Sequence, residues 1–103
     1  MKDLTQNQWN EQIKADKDAV ILDVRTDEEV AEGYIPGAKQ LDIYNAGAFM
    51  EKANLMDKSK NYYVYCRSGS RSAQACMILE SIGFDTTYNL LGGFSEWEGD
   101  KTV

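Results

Sequence analysis

The sequence predicts an α/β domain with a central, mostly parallel sheet and helices on both faces. Three observations predict it. Short β-branched or aromatic runs alternate with stretches of helical spacing, the pattern of βαβ units. The chain has 103 residues, the size of one ordinary domain, so residues 1–103 are read as a single unit. Hydrophobic residues make up 43% and charged residues 27%, close to the globular average, so a packed core is expected rather than disorder. No repeat or low-complexity segment interrupts the pattern.

The elements follow in chain order. Thr5-Gln6-Asn7-Gln8 is a capping-box pattern, and Trp9, Gln12 and Ile13 continue at helical spacing, which predicts a helix over 6–15. Ala19 to Val24 is short, continuous and β-branched, as a strand buried on both faces should be. Thr26-Asp27-Glu28-Glu29 is a second capping box opening a short acidic helix, which Gly33 to Ala38 breaks and turns. Residues 47–56 read as a helix with Phe49, Ala53 and Met56 as its apolar stripe. Tyr62 to Tyr65 is the next strand, with its tyrosines read as sheet packing. A helix over about 71–82 presents Ala75, Ile78, Leu79 and Ile82 at core spacing, and Gly83 stops it. Asp85 to Leu90 reads as a strand, Gly92-Gly93 as a turn, and Phe94 to Trp97 as a helical turn whose aromatics pack.

Composition removes several classes of function. There is no histidine, which excludes His-dependent zinc sites, Ser-His-Asp triads and Cys-His dyads. Two cysteines allow at most one disulfide, so this is no disulfide scaffold. A net charge of −6 makes nucleic acid and anionic membranes poor partners, and no apolar run is long enough to span a bilayer. Met1-Lys2-Asp3 leads into polar residues rather than a secretory signal, and a functional thiol must stay reduced, so the expected compartment is the cytoplasm; a domain this small and charged is expected to be a monomer.

Charge is unevenly placed. From Lys58 to Leu79 there is no Asp or Glu, while Lys58, Lys60, Arg67 and Arg71 are all basic, so this stretch is expected to attract an anion. Cys66 lies inside it, at the C-terminal end of a strand, where parallel sheets open their ligand crevices. The loop Cys66-Arg67-Ser68-Gly69-Ser70-Arg71-Ser72 then runs into a helix N-terminus, whose free N–H groups and dipole favour negative charge. Gly69 supplies the positive φ that a tight anion nest needs. An ordinary thiol is only ~3% ionised at pH 7, and such a nest raises that fraction. With no histidine, the loop donors and two arginines are expected to do the activating. Arg71 opposes the dipole of its own helix, which suggests a bound anion as compensation. Arg67 is either a substrate contact or solvated charge. Ser68, Ser70 and Ser72 are candidate hydroxyl donors, with Ser70 alternatively an N-cap. The competing view of Cys66 is a buried, inert thiol. Cys76, about 100° round the helix from Ala75, is read as semi-buried and structural, with a resolving thiol as the alternative.

Three segments together resemble the single-domain rhodanese family, over essentially the whole chain. They are Leu22-Asp23-Val24-Arg25 with Gly33 to Ala38, the Tyr65-to-Ser72 loop, and Leu90-Leu91-Gly92-Gly93-Phe94-Ser95-Glu96-Trp97. The resemblance implies a three-layer rhodanese-like fold and a sulfurtransferase of the thiosulfate type. In such enzymes the loop cysteine takes the outer sulfur of a thiosulfate-like donor as a persulfide and passes it to cyanide or a thiol, including a thioredoxin-like or other thiol protein. By position Cys66 is then the catalytic nucleophile, residues 67–72 bind substrate, and no metal or organic cofactor is required. Many members carry His where this chain has Tyr34, a position expected to be structural. Asp23 and Arg25 are expected to pair and to hold the sheet edge and the loop behind it.

Two rivals remain. Cysteine phosphatases and arsenate reductases use Cys, five residues, then Arg, whereas here Arg71 is the fifth residue after Cys66. That smaller cradle suits one sulfur atom better than a tetrahedral oxyanion. A sulfur-carrier or regulatory module is the non-enzymatic rival, and the retained cysteine and basic loop weigh against an inert one.

Overall fold

The computed structural model describes residues 1–103. In chain order the elements are β1 (Lys2–Leu4), α1 (Gln6–Ala15), β2 (Ala19–Asp23), α2 (Asp27–Ala31), β3 (Lys39–Gln40), α3 (Ala46–Asn54), β4 (Asn61–Tyr65), α4 (Ser70–Ser81) and β5 (Thr86–Leu90), followed by a 3₁₀ turn at Phe94–Glu96. The sheet has five strands in the order β1-β5-β4-β2-β3, and every pairing within it is parallel. No helix is long and apolar enough to cross a membrane.

Period-two alternation along β4 divides the core. Tyr62, Val64 and, just past the strand, Cys66 face one side, where they meet Phe49 and Ala53 of α3 and Ala75, Cys76 and Leu79 of α4. Tyr63 and Tyr65 face the other side and meet Leu4, Trp9, Ile35, Leu90 and Trp97. Trp9 of α1 packs edge-on against both tyrosines, with ring centroids at 5.5 and 6.3 Å. Helices thus cover both faces, giving the three layers that the sequence predicts.

Both capping boxes form. Thr5 and Gln8 bond reciprocally at the start of α1, and Thr26 and Glu29 do the same at α2. Gly83 ends α4 with φ at +104°, as a C′ glycine should. Three expectations need correction. Two strands were not foreseen: β1 and β3 have three and two residues, lie at the sheet edges and carry mostly polar side chains, so they have no periodic pattern to read. β2 is only half-buried over Ala19 to Ile21 and becomes buried at Leu22 and Asp23. The basic run is not one patch either. Lys58 and Lys60 precede β4, at the opposite end of that strand from Cys66, and the Lys58 ammonium donates to the Ile82 carbonyl at 2.8 Å.

Candidate functional site

Parallel pairing sets Asp23 beside Tyr65, and the Val24 N–H donates to the Tyr65 carbonyl at 3.0 Å, so the C-terminal ends of β2 and β4 lie together. Asp23 and Arg25 form a buried ion pair, with Nε donating at 2.9 Å and Nη2 at 2.7 Å. The same Nη2 reaches the Gly33 carbonyl at 2.7 Å, and the Tyr65 hydroxyl donates to Asp23 at 2.7 Å while accepting from the Ile35 N–H at 3.0 Å. The expected charge pairing is present and holds the loop at Gly33 as expected, though it braces the strand ends behind the site rather than a lateral edge of the sheet. Tyr34 is half-buried and pairs antiparallel with Thr102 through its backbone N–H and carbonyl, a structural use of that position.

The loop turns immediately after Cys66. Gly69 stands at φ +108° as the residue before α4, so Ser70 is the first helical residue and not the N-cap. The Gly69 N–H donates to Cys66 Sγ at 3.0 Å, and the Ser72 hydroxyl lies 3.4 Å from the same sulfur. Backbone N–H groups of Ser68 and Ser72 add to this set. Cys66 is fully buried. Burial pushes its thiol up and is the largest single influence, yet the hydrogen bonds from Ser72, Gly69 and Ser68 together outweigh it and hold the thiol below its ordinary value. The Arg71 charge and the Cys66 sulfur also favour each other, so the expected help from the arginines holds for Arg71 as a lesser influence behind these hydrogen bonds.

Arg71 is itself anchored by the protein. Its guanidinium forms a bidentate pair with Glu29, at 2.7 and 2.8 Å, and lies over the Tyr44 ring at 5.2 Å. The compensating anion is a side chain of this protein, not a bound ligand. Arg71, ahead of burial and the Thr26 backbone contact, draws the Glu29 carboxyl down to about 2. Glu29 was legible only as a capping residue; its second role depends on a contact across 42 positions. Arg67 is exposed and faces a cleft of about 260 Å³ lined also by Arg25, Glu29, Glu32, Phe94 and Ser95. Ser68 and Ser70 are exposed at the loop rim, and of the three serine hydroxyls only that of Ser72 bonds the sulfur.

The Gly-Gly-Phe-Ser segment does more than pack. The Phe94 N–H donates to the Cys66 carbonyl at 2.8 Å and the Ser95 N–H to the Arg67 carbonyl at 3.0 Å. Gly93 makes this approach possible: a Cβ there would lie 2.5 Å from the Arg67 carbonyl oxygen. The packing reading holds for Trp97, which is 5% exposed, whereas Phe94 also borders the cleft, and the Arg25 guanidinium carbon lies 4.3 Å from its ring centroid. Cys76 is fully rather than partly buried, and burial pushes its thiol up to about 12. Both cysteines are free, and a thiol so rarely ionised is a poor resolving partner.

A strand-loop-helix nest centred on one cysteine, clamped from behind by the C-terminal turn, is thus assembled from the three segments singled out in the sequence. A family profile described as the rhodanese-like domain matches residues 5–100. The chain belongs to the rhodanese-like domain family. Among relatives of this rhodanese-like protein, a putative sulfurtransferase of Bacillus subtilis, YtwF, is 42% identical over 97% of this chain and 93% of its own. A thiosulfate sulfurtransferase of Coxiella burnetii, GlpE, is 37% identical over 80% of this chain and 74% of its own. The crystal structure of a rhodanese-like domain protein from Staphylococcus aureus superposes with a TM-score of 0.81 at 37% identity, covering 97% of this chain and 93% of that one.

Proposed function

We propose that this rhodanese-like protein is a sulfurtransferase with Cys66 as its nucleophile. The observation that carries the reading is the donor set around Cys66 Sγ, which, with a lesser contribution from the Arg71 charge, stabilises a negative sulfur without histidine. In the first half-reaction the Cys66 thiolate attacks the outer sulfur of a thiosulfate-like donor. A sulfur–sulfur bond forms, the donor's sulfur–sulfur bond breaks, and sulfite departs with the electron pair. The N–H groups that solvate the thiolate then solvate the terminal sulfur of the persulfide. In the second half-reaction a thiophilic acceptor, cyanide or a thiol, attacks that terminal sulfur and Cys66 leaves as thiolate. Arg67, exposed at the cleft and free of any ion pair, is the cation available to the anionic donor. No step requires a metal or an organic cofactor.

The naming of relatives as sulfurtransferases supports the transfer chemistry, and the word thiosulfate in one of those names supports the donor. Loop size and the commitment of Arg71 to Glu29 weigh against phosphate or arsenate as substrate, because the arginine that would clamp an oxyanion is already paired. The reading places the protein in a reducing compartment, as a monomer whose acceptor is a small thiol or a thioredoxin-like protein thiol.

The test is the intact mass of reduced protein after incubation with thiosulfate, beside Cys66→Ser. The expected result is a gain of one sulfur atom, removed by cyanide and absent from the variant. No gain with any sulfane donor in folded protein, together with Cys66-dependent hydrolysis of p-nitrophenyl phosphate, would overturn it. Comparing transfer to cyanide with transfer to a thioredoxin-like thiol distinguishes a small-molecule transferase from a carrier.

A further inference from the structure

A polar chain runs from behind Cys66 to the N-terminal strand. Asn89 on β5 is 3% exposed, and its Nδ2 donates to the Asp3 carboxylate at 3.0 Å and to the Gly69 carbonyl at 3.3 Å. Both partners are pure acceptors, so the NH₂ must face them and Oδ1 is left turned towards Ser72. The Ser72 Oγ lies 2.5 Å from Asn89 Oδ1 and 3.4 Å from Cys66 Sγ.

A serine hydroxyl has one proton. When Cys66 is a thiol the chain is satisfied, because S–H can donate to Ser72 and Ser72 to Asn89. When Cys66 is a thiolate, sulfur and Asn89 Oδ1 are both acceptors and one proton must serve two. Both contacts are within hydrogen-bond reach for their atom types, since O–H···S contacts run longer than O–H···O ones, so the two acceptors compete for the proton. We propose that Asn89 is a positioning residue that competes with the sulfur for the Ser72 proton, so that Ser72 donates to the thiolate only in part and the thiolate keeps more of its nucleophilicity. The chemical reason is that a thiolate loses nucleophilicity as hydrogen bonding makes it a weaker base. Asn89 touches no reactant in this scheme and acts only through Ser72. The inference rests on Cys66 being the reacting thiol, but not on the identity of its donor.

The test is the pH profile of iodoacetamide alkylation at Cys66, read by mass, in wild type, Asn89→Leu, Ser72→Ala and the double variant. Asn89→Leu should move the midpoint to lower pH and lower the alkaline plateau by about twofold. Ser72→Ala should move the midpoint up, and Asn89→Leu should then add nothing. An equal effect of Asn89→Leu with and without Ser72, or no effect in folded protein, would overturn the proposal. If the leucine variant does not fold, Asn89→Val suits the strand. A measurement without an Asn89 substitution stands beside them: the Asn89 side-chain amide resonances should shift across the Cys66 midpoint in wild type and not in Ser72→Ala. Alkylation reports the thiol alone, so a failure to load sulfur from thiosulfate would sink the transferase reading and leave this result standing.

Discussion

Cys66 and Cys76 are both fully buried, both face the same side of the sheet, and differ in what surrounds the sulfur. At Cys66 a turning loop aims the Gly69 N–H and the Ser72 hydroxyl at the thiol, and it moves down. At Cys76 the backbone is mid-helix, its N–H groups are engaged in the helix ladder, the thiol donates to the Tyr88 carbonyl at 3.7 Å, and the one hydroxyl beside it, that of Thr87, already donates to Glu80 at 2.6 Å. Burial therefore dominates at Cys76 and pushes it up to about 12. Burial alone says nothing about whether a cysteine reacts; the supply of unpaired donors decides it, and a helix N-terminus has them where a helix interior does not.

The largest effect should come from removing one thiol or the other. Cys66→Ser is expected to abolish sulfur loading and to lower transfer at least ~10³-fold, whereas Cys76→Ser should retain nearly full activity in a thiosulfate-to-cyanide assay. Equal losses would break the comparison. The same contrast should appear as a pH profile. The depressed Cys66 thiol reacts with iodoacetamide from below the ordinary cysteine range upward and loses reactivity as pH falls through its lowered value. Cys76 should stay unmodified at neutral pH in the native state.

Gly93→Ala tests the wall behind Cys66. The new Cβ would meet the Arg67 carbonyl at 2.5 Å from a left-handed backbone, and the expected cost is about 3 kcal/mol in chemical denaturation with a matching loss of activity. Glu29→Gln tests the brace on Arg71 and should cost about 1 kcal/mol at neutral pH. Its sign follows from the lowered carboxyl. The ion pair stabilises the native state fully above 4.5, the ordinary value, and is lost as pH falls through about 2, so wild type and variant should converge in acid. The smallest effect is expected for Cys76→Ala, about 1 kcal/mol from the small cavity left in the core, with unchanged kinetics.

Much of this was legible in local sequence. Thr5 and Thr26 announced their helices, Gly69 its positive φ, and Gly83 the end of α4, because each acts within a few residues of itself. The candidate nucleophile was legible for the same reason: strand, glycine turn and helix start are consecutive. Local reading failed where a side chain's partner is distant. Arg71 read as an anion-binding charge because Glu29 lies 42 positions away, and the aromatic turn read as packing because its N–H groups reach back to Cys66 and Arg67. Edge strands β1 and β3 escaped because pairing, rather than composition, makes them strands.

By itself, then, the sequence determined the α/β alternation, the order of elements, the nest-forming loop and the cysteine at its centre, since these depend on backbone preference and periodicity. The tertiary structure decided which charges remain free, which of the serines reaches the sulfur, and that Asn89 stands behind it. Those outcomes depend on distances and orientations between groups far apart in the chain, and hydrogen bonds, including the bidentate ones of ion pairs, are lost within an ångström or so of their optimum.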